Sequence, residues 1–164
     1  MDTLWAPWRA PYILGTRSKK KETCIFCAAA KHSGRDRVLF KSAESLAMLN
    51  IYPYNNGHTM VAPLRHTGDL KRLSPAEALD LFASVSRVMT VLDGLLRPDG
   101  YNIGINVGRA AGAGIPGHLH VHIVPRWNGD TNFMPSTNGT KVISQSLEEL
   151  QRRFIAADTK KKRK

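Results

Sequence analysis

Short apolar runs organise the first half of the chain. Val38-Leu-Phe40, Leu46-Ala-Met-Leu-Asn50 and Thr59-Met-Val-Ala-Pro63 are bounded by turn-forming residues and predict three strands across 38–50 and 59–63. Tyr52-Pro-Tyr-Asn-Asn-Gly57 lies between the second and third and reads as a turn from its Pro, Asn and Gly content. The period then changes. Ser74-Pro-Ala-Glu77 is a capping box with proline at the first helical position, and Ala78, Phe82, Val85, Met89, Leu92 and Leu96 recur every three or four residues. They predict a helix over 75–96 with one buried stripe, ended by Pro98-Asp-Gly100; the stripe reads as core and not as a cofactor contact. Alternation returns in Tyr101–Val107, which should pair with the histidine-rich segment around 118–123. Gly139–Ile143 is a further short strand candidate. Ser146-Leu-Glu-Glu149 opens a closing helix whose buried side is Leu147, Leu150 and Phe154. The expected class is α+β: an antiparallel sheet of about five strands, a long helix packed on it and a C-terminal helix.

The segment 117–127 reads Gly-His-Leu-His-Val-His-Ile-Val-Pro-Arg-Trp and holds three of the six histidines at every-other spacing. On a strand this places His118, His120 and His122 on one face and Leu119, Val121 and Ile123 on the other, with successive imidazoles roughly 6.6 Å apart at Cα. Pro125 is expected to end the strand because it cannot donate to a ladder. A bare His-x-His on a strand reads first as a metal site, since imidazole is a common ligand. The surroundings turn the reading toward phosphate chemistry. Apart from the triad no His, Asp or Glu occurs between Asn102 and Arg126, and the Gly/Ala-rich run Gly108–Gly117 lets backbone approach an anion closely. The third reading is three satisfied histidines on a wet strand.

Composition narrows the setting. One domain suffices for 164 residues with 42% apolar content, and no run approaches the length that crosses a bilayer. The first residues, Met-Asp-Thr-Leu-Trp, lack the layout of a secretory signal, so a cytoplasmic location is expected. Residues 1–21, with two tryptophans, read as a packing arm, 22–155 as the domain, and 156–164 as a basic, disordered tail ending in Lys160-Lys-Lys-Arg-Lys164. The formal charge of +11 favours anionic partners. Nucleic acid is the weaker choice because no aromatic side chains are interleaved with the basic clusters.

Cys24-Ile-Phe-Cys27 contains the only two cysteines. Structural zinc, a redox pair and plain buried thiols all remain open, with zinc favoured by a spacing that suits two thiolates on one ion.

His118-Leu-His-Val-His-Ile-Val-Pro125 resembles the histidine-triad signature. The likeness continues through Leu49–His58, Pro63-Leu-Arg-His66, Asn102–Val107, Pro125–Phe133 and Leu4-Trp-Ala-Pro-Trp-Arg9, most of the chain. Within that superfamily it is most similar to the bacterial and archaeal diadenosine tetraphosphate phosphorylase-like branch. The resemblance implies a HIT-like fold, a homodimer, and His120 as a nucleophile that attacks an α-phosphorus, flanked by His118 and His122. It implies that His66 and His118 complete a zinc site with Cys24 and Cys27, His32 being a rival ligand, and that His118 then keeps an orienting role. It further implies that Asn50 holds a ribose hydroxyl, His58 supports the site and Trp127 flanks the phosphates. Asn106 is placed near the histidine face by its strand. Hydrolase branches usually carry glutamine followed by serine or threonine just before the triad. Here Gly112-Ala113-Gly114-Ile-Pro-Gly117 stands instead, leaving backbone N–H groups to bind phosphate and favouring phosphorolysis. The expected substrates are a dinucleoside polyphosphate and inorganic phosphate, with Mg²⁺ accompanying the substrate and Arg109 and Arg126 offsetting phosphate charge. The alternatives are a hydrolase of dinucleoside polyphosphates or phosphoramidates, and a non-catalytic nucleotide or nucleic-acid binding module driven by the basic tail.

Overall fold

The computed structural model describes residues 24–31, 37–130 and 143–161. The expected packing arm, His32 and nearly all of the Gly139–Ile143 strand candidate lie outside them; Ile143 itself is not in a strand. A short helix α1 (Ile25–Lys31) precedes strands β1 (Val38–Lys41), β2 (Ser45–Leu49) and β3 (Thr59–Pro63). Helix α2 (Pro75–Leu96), strands β4 (Gly100–Ile105) and β5 (Val121–Arg126), and helix α3 (Leu147–Lys161) complete the order. The five strands form one antiparallel sheet, β1-β2-β3-β5-β4. β5 therefore enters between β3 and β4, and the histidine segment becomes central.

Pleating divides the sheet into two buried faces. Ala47, Leu49, Val61, Val121 and Ile123 join Leu81, Val85, Val88 and Leu92 of α2 and Leu150 and Phe154 of α3 in the larger core. On the opposite face Leu46, Met48, Met60 and Ala62 pack against Phe26 and Ala29 of α1. The histidine face thus carries a core of its own.

Helix α2 starts as the capping box requires: Ser74 Oγ accepts the Glu77 N–H, and Glu77 Oε2 accepts the Ser74 N–H at 2.8 Å. Arg65 closes the junction with two bonds to the Glu77 carboxylate, 2.6 and 2.8 Å. The buried stripe is rotated from the expected one. Leu81, Ser84, Val85, Val88, Val91 and Leu92 face the sheet, whereas Phe82 is 61% exposed. An i, i+3, i+4 pattern fits two adjacent stripes when apolar residues occur on both, and only packing chooses between them.

Two other expectations change. Pro125 does not end the strand; it lies within β5, opposite Tyr101. β3 pairs only as far as Thr59 with Ile123, so at Pro125 one side of β5 has no strand beside it. The Pro125 carbonyl points to that side and accepts Asn55 Nδ2, so the missing N–H leaves no gap in the β4 ladder. The tail also begins later than 156, because α3 continues through Lys161. Asp158 is buried there and makes a forked ion pair with Arg87 of α2, whose guanidinium also covers the Phe40 ring at 3.8 Å. Asp158→Ala leaves that guanidinium without its anion in a largely buried position and should cost about 1–3 kcal/mol. Urea unfolding measures it, and an unchanged midpoint would mean the pair holds nothing.

Candidate active site and metal centre

The register of β5 sets the histidines out. His122 lies opposite Met60 on one side and Gly104 on the other, facing away from α2. Only His122 belongs to the paired strand. His118 and His120 precede it, and Leu119 N–H binds the Thr67 carbonyl at 2.6 Å, which keeps the approach extended without a strand partner. His118 and His120 are 1% and 5% exposed, so the protein groups beside their ring nitrogens set their tautomers.

Backbone partners assign the protons of His58, His118 and His120, and through His58 that of His122. The Tyr54 backbone N–H donates to His58 Nδ1 at 3.0 Å, with Asn50 Nδ2 3.3 Å from the same nitrogen. His58 therefore carries its proton on Nε2 and donates it to His122 Nδ1 at 3.0 Å. His122 in turn holds its own proton on Nε2. His120 has the opposite tautomer: its Nδ1–H donates to the His118 carbonyl at 2.8 Å, and the lone pair is on Nε2. The two rings meet edge to face with centroids 4.8 Å apart. A lone pair and an N–H donor are thereby presented side by side. Burial pushes the His120 pKa down against the upward pull of its backbone bond, which keeps the ring neutral.

His58 is nearly fully buried, and desolvation together with the neighbouring His122 and His120 pushes its pKa down to about 3. Between the ordinary histidine pKa and about 3 the unfolded chain binds a proton that the folded chain does not, so stability is complete above pH 6.5 and falls below it. The expected slope from this group is about 1.4 kcal/mol per pH unit. His58→Asn should flatten the dependence of unfolding free energy on pH between 4 and 6; an identical slope in both proteins would contradict the assignment.

His118 turns its ring elsewhere. Its Nε2–H donates to the Pro63 carbonyl at 2.8 Å, which leaves Nδ1 as a lone pair. That nitrogen lies 3.2 Å from Cys24 Sγ, 3.6 Å from Cys27 Sγ and 3.2 Å from His66 Nδ1, and Cys27 Sγ lies 3.2 Å from His66 Nδ1. All four donor atoms fall within 4.8 Å of one another. A tetrahedral zinc with ordinary bond lengths sets N···N near roughly 3.3 Å and S···N near roughly 3.6 Å, so the spacing fits. The donor chemistry fits as well: two cysteine sulfurs and two imidazole nitrogens converge on one point, and with the thiols ionised they form a donor set that suits zinc. The Pro63 carbonyl supplies the outer hydrogen bond that orients a ligating imidazole. Metal bound by all three triad histidines is ruled out by their different partners. His118 belongs to the cluster, His120 Nδ1 to a carbonyl and His122 Nδ1 to His58.

The other expected site residues are divided. Asn50 and His58 come together beside His122. Asn106 follows the last residue of β4, two positions after Gly104, which lies opposite His122. Loop 106–117 joins β4 to the triad, and it packs so closely on the segment after β3 that a Cβ at Gly68 would sit 2.2 Å from the Pro116 carbonyl. Within it, the N–H groups of Gly112 and Ala113 bind the carbonyls of Arg109 and Gly108, so these two donors serve the loop's own turn and not an outside anion. Ala113 is buried and Gly114 exposed. Trp127 is not brought to the histidines: its indole N–H reaches the Leu96 and Arg97 carbonyls at the end of α2. Arg126 is held by Asp130 and Asn102. Phe26 escaped the sequence reading; its only signal was its place inside the Cys-x-x-Cys.

A family model of the HIT domain matches residues 31–129, which include the whole triad. The chain belongs to the HIT domain family. Among HIT relatives it is 35% identical to an AP-4-A phosphorylase of Mycobacterium tuberculosis over 165 residues, covering 96% of this chain and 84% of that one. It is 40% identical over 94 residues to an asymmetrical bis(5'-nucleosyl)-tetraphosphatase of Schizosaccharomyces pombe, covering 57% of this chain and 51% of that one. The fold resembles a Zn-bound histidine triad family protein from Mycobacterium smegmatis, with TM-score 0.69 and 30% identity over 85% of this chain and 96% of the other. The five-stranded sheet and helices are the HIT fold. Among the described residues no helix is long and apolar enough to cross a membrane.

Proposed function

We propose that this HIT protein is a nucleotidyltransferase that cleaves diadenosine tetraphosphate by phosphorolysis to ATP and ADP through a nucleotidyl-histidine at His120. One observation carries the reading: His120 offers a lone pair on Nε2 beside a His122 ring whose Nε2 bears a proton. In the first step Nε2 of His120 forms a bond to the α-phosphorus and the bond from that phosphorus to the bridging oxygen breaks, releasing ATP. His122 Nε2–H hydrogen-bonds the oxygen where charge gathers. The nucleotidyl imidazole is cationic, and its Nδ1–H to the His118 carbonyl stabilises that charge. In the second step a phosphate oxygen attacks the same phosphorus, the P–N bond breaks and ADP leaves with His120 neutral again. Cys24, Cys27, His66 and His118 would hold a zinc ion, which supplies structural rigidity and no part of the transfer. Asn50, Asn106 and the exposed Gly114 of the loop before the triad would contact the nucleotide, with Mg²⁺ accompanying its phosphates. Trp127 would take part only from the far end of α2.

The relative named as a phosphorylase supports phosphate as the acceptor, as does a loop without glutamine before the triad. The relative named as a tetraphosphatase supports a second reading in which water replaces phosphate. Incubation of diadenosine tetraphosphate with and without inorganic phosphate separates the two. Strict dependence on phosphate, with ADP as a product, is expected; equal turnover without phosphate, yielding AMP, overturns phosphorolysis. β4 is a sheet edge carrying exposed Ile103, which supports a homodimer, and a monomeric mass by light scattering would remove that. A cytoplasmic location accords with the nucleotide substrate and is tested by cell fractionation.

A further inference from the structure

Phe26 stands between the two cysteines and is fully buried. Its ring centroid is 5.0 Å from that of His118 and 5.0 Å from that of His120, with interplanar angles of 50° and 34°. On either side of it in sequence, Cys24 and Cys27 reach the donor cluster with His66 and His118. The His118 carbonyl fixes the His120 tautomer, but one hydrogen bond at Nδ1 leaves the ring free to pivot about it. Two ring contacts restrict that pivot: the edge of His122 and the ring of Phe26. Helix α1 is too short to hold a position by itself, and its place is set by Ala29 and Phe26 in the smaller core and by the two sulfurs.

We propose that Phe26 is a positioning residue for His120, clamped by the metal-binding cysteines on either side of it, so that the ring of Phe26 sets the plane in which the His120 lone pair is aimed. The proposal deepens the reading of His120 as nucleophile and rests on it. Its consequence is that the Cys/His cluster controls the rate through geometry while taking no part in bond making.

The test uses the full zinc-loaded protein with Phe26→Leu and Phe26→Ala. Zinc content is measured, KM and kcat are measured on diadenosine tetraphosphate, and the orientation of the His120 ring is read from NOEs between its carbon-bound protons and those of the His122 ring. Zinc should remain at the wild-type ratio and KM should move by less than about threefold. Loss of aim should lower kcat on the order of tenfold in the leucine variant and a hundredfold in the alanine variant. The His120 signals should show weakened, averaged NOEs to the His122 ring as the plane pivots, while the Nδ1–H tautomer set by the His118 carbonyl is kept. An unchanged kcat with wild-type His120 signals overturns the proposal, and so does a rise in KM at constant kcat, which would make Phe26 a substrate contact. If the alanine variant does not fold, the leucine variant decides. If the wild-type protein turns over no nucleotide, the proposed function fails alone, and the His120 signals still decide the role of Phe26.

Discussion

His120→Ala should lower turnover of diadenosine tetraphosphate by at least about 10⁴-fold, the scale on which loss of a covalent nucleophile acts. The size follows from the separate assignments of the three rings. His118 Nδ1 is committed to the cysteine cluster, and the lone pair of His122 is engaged by His58. Neither can replace the Nε2 of His120. The variant should fold, because the smaller core formed by Phe26, Leu46, Met48, Met60 and Ala62 does not include the ring removed. It should also fail to retain nucleotide as an acid-labile adduct after mixing with labelled substrate. His122→Asn keeps an N–H donor without the imidazole and should lose less, on the order of 10²-fold. Near-normal turnover in His120→Ala would remove the covalent mechanism and leave the nucleotide-binding reading.

The second large effect belongs to the metal centre. Cys27→Ser should lower bound zinc to less than about a tenth of an equivalent and reduce the melting temperature by about 8–16 °C. The arithmetic is direct. A ligand present at about 1,000 times its dissociation constant contributes about 4 kcal/mol to the folded state. For a chain of this size each kcal/mol is worth about 2–4 °C. Loss of one thiolate leaves three donors, and the serine hydroxyl is a poor substitute for a soft sulfur. Chelation of the wild-type protein should give the same shift and zinc should reverse it. Zinc addition that leaves the melting temperature of stripped protein unmoved would show that the four donors sit together for another reason. The effect should extend to turnover, since His118 brings Nδ1 to the cysteine cluster and supplies the carbonyl that fixes His120.

Much of this is legible in the sequence. Ser74-Pro-Ala-Glu77 marked the start of α2 because capping is local chemistry, satisfied within one turn of backbone. Alternation in Tyr101–Val107 and His118–Ile123 indicated two strands; they pair over Gly100–Ile105 and Val121–Arg126, with His118 and His120 lying before the paired stretch. The misreadings share a cause. Phe82 and Leu81 are equally apolar and adjacent, so periodicity alone did not decide which one turns inward. Pro125 was read from its missing donor, but whether that donor is needed depends on where β3 starts. The tail looked solvated from its lysines, while Asp158 within it meets Arg87 across 71 residues of sequence.

The sequence by itself determined the family, the two longer helices and the presence of the five strands, because capping, pleat periodicity and motif spacing act over a few neighbouring residues. Only the tertiary structure decided what each imidazole does. His118, His120 and His122 are equivalent as letters at even spacing. They become a ligand donor, a lone pair and an N–H donor through the Pro63 carbonyl, the His118 carbonyl and the buried His58. A neutral imidazole has one proton and two nitrogens, so its chemistry is set by whichever partner the fold brings to the other side of the ring.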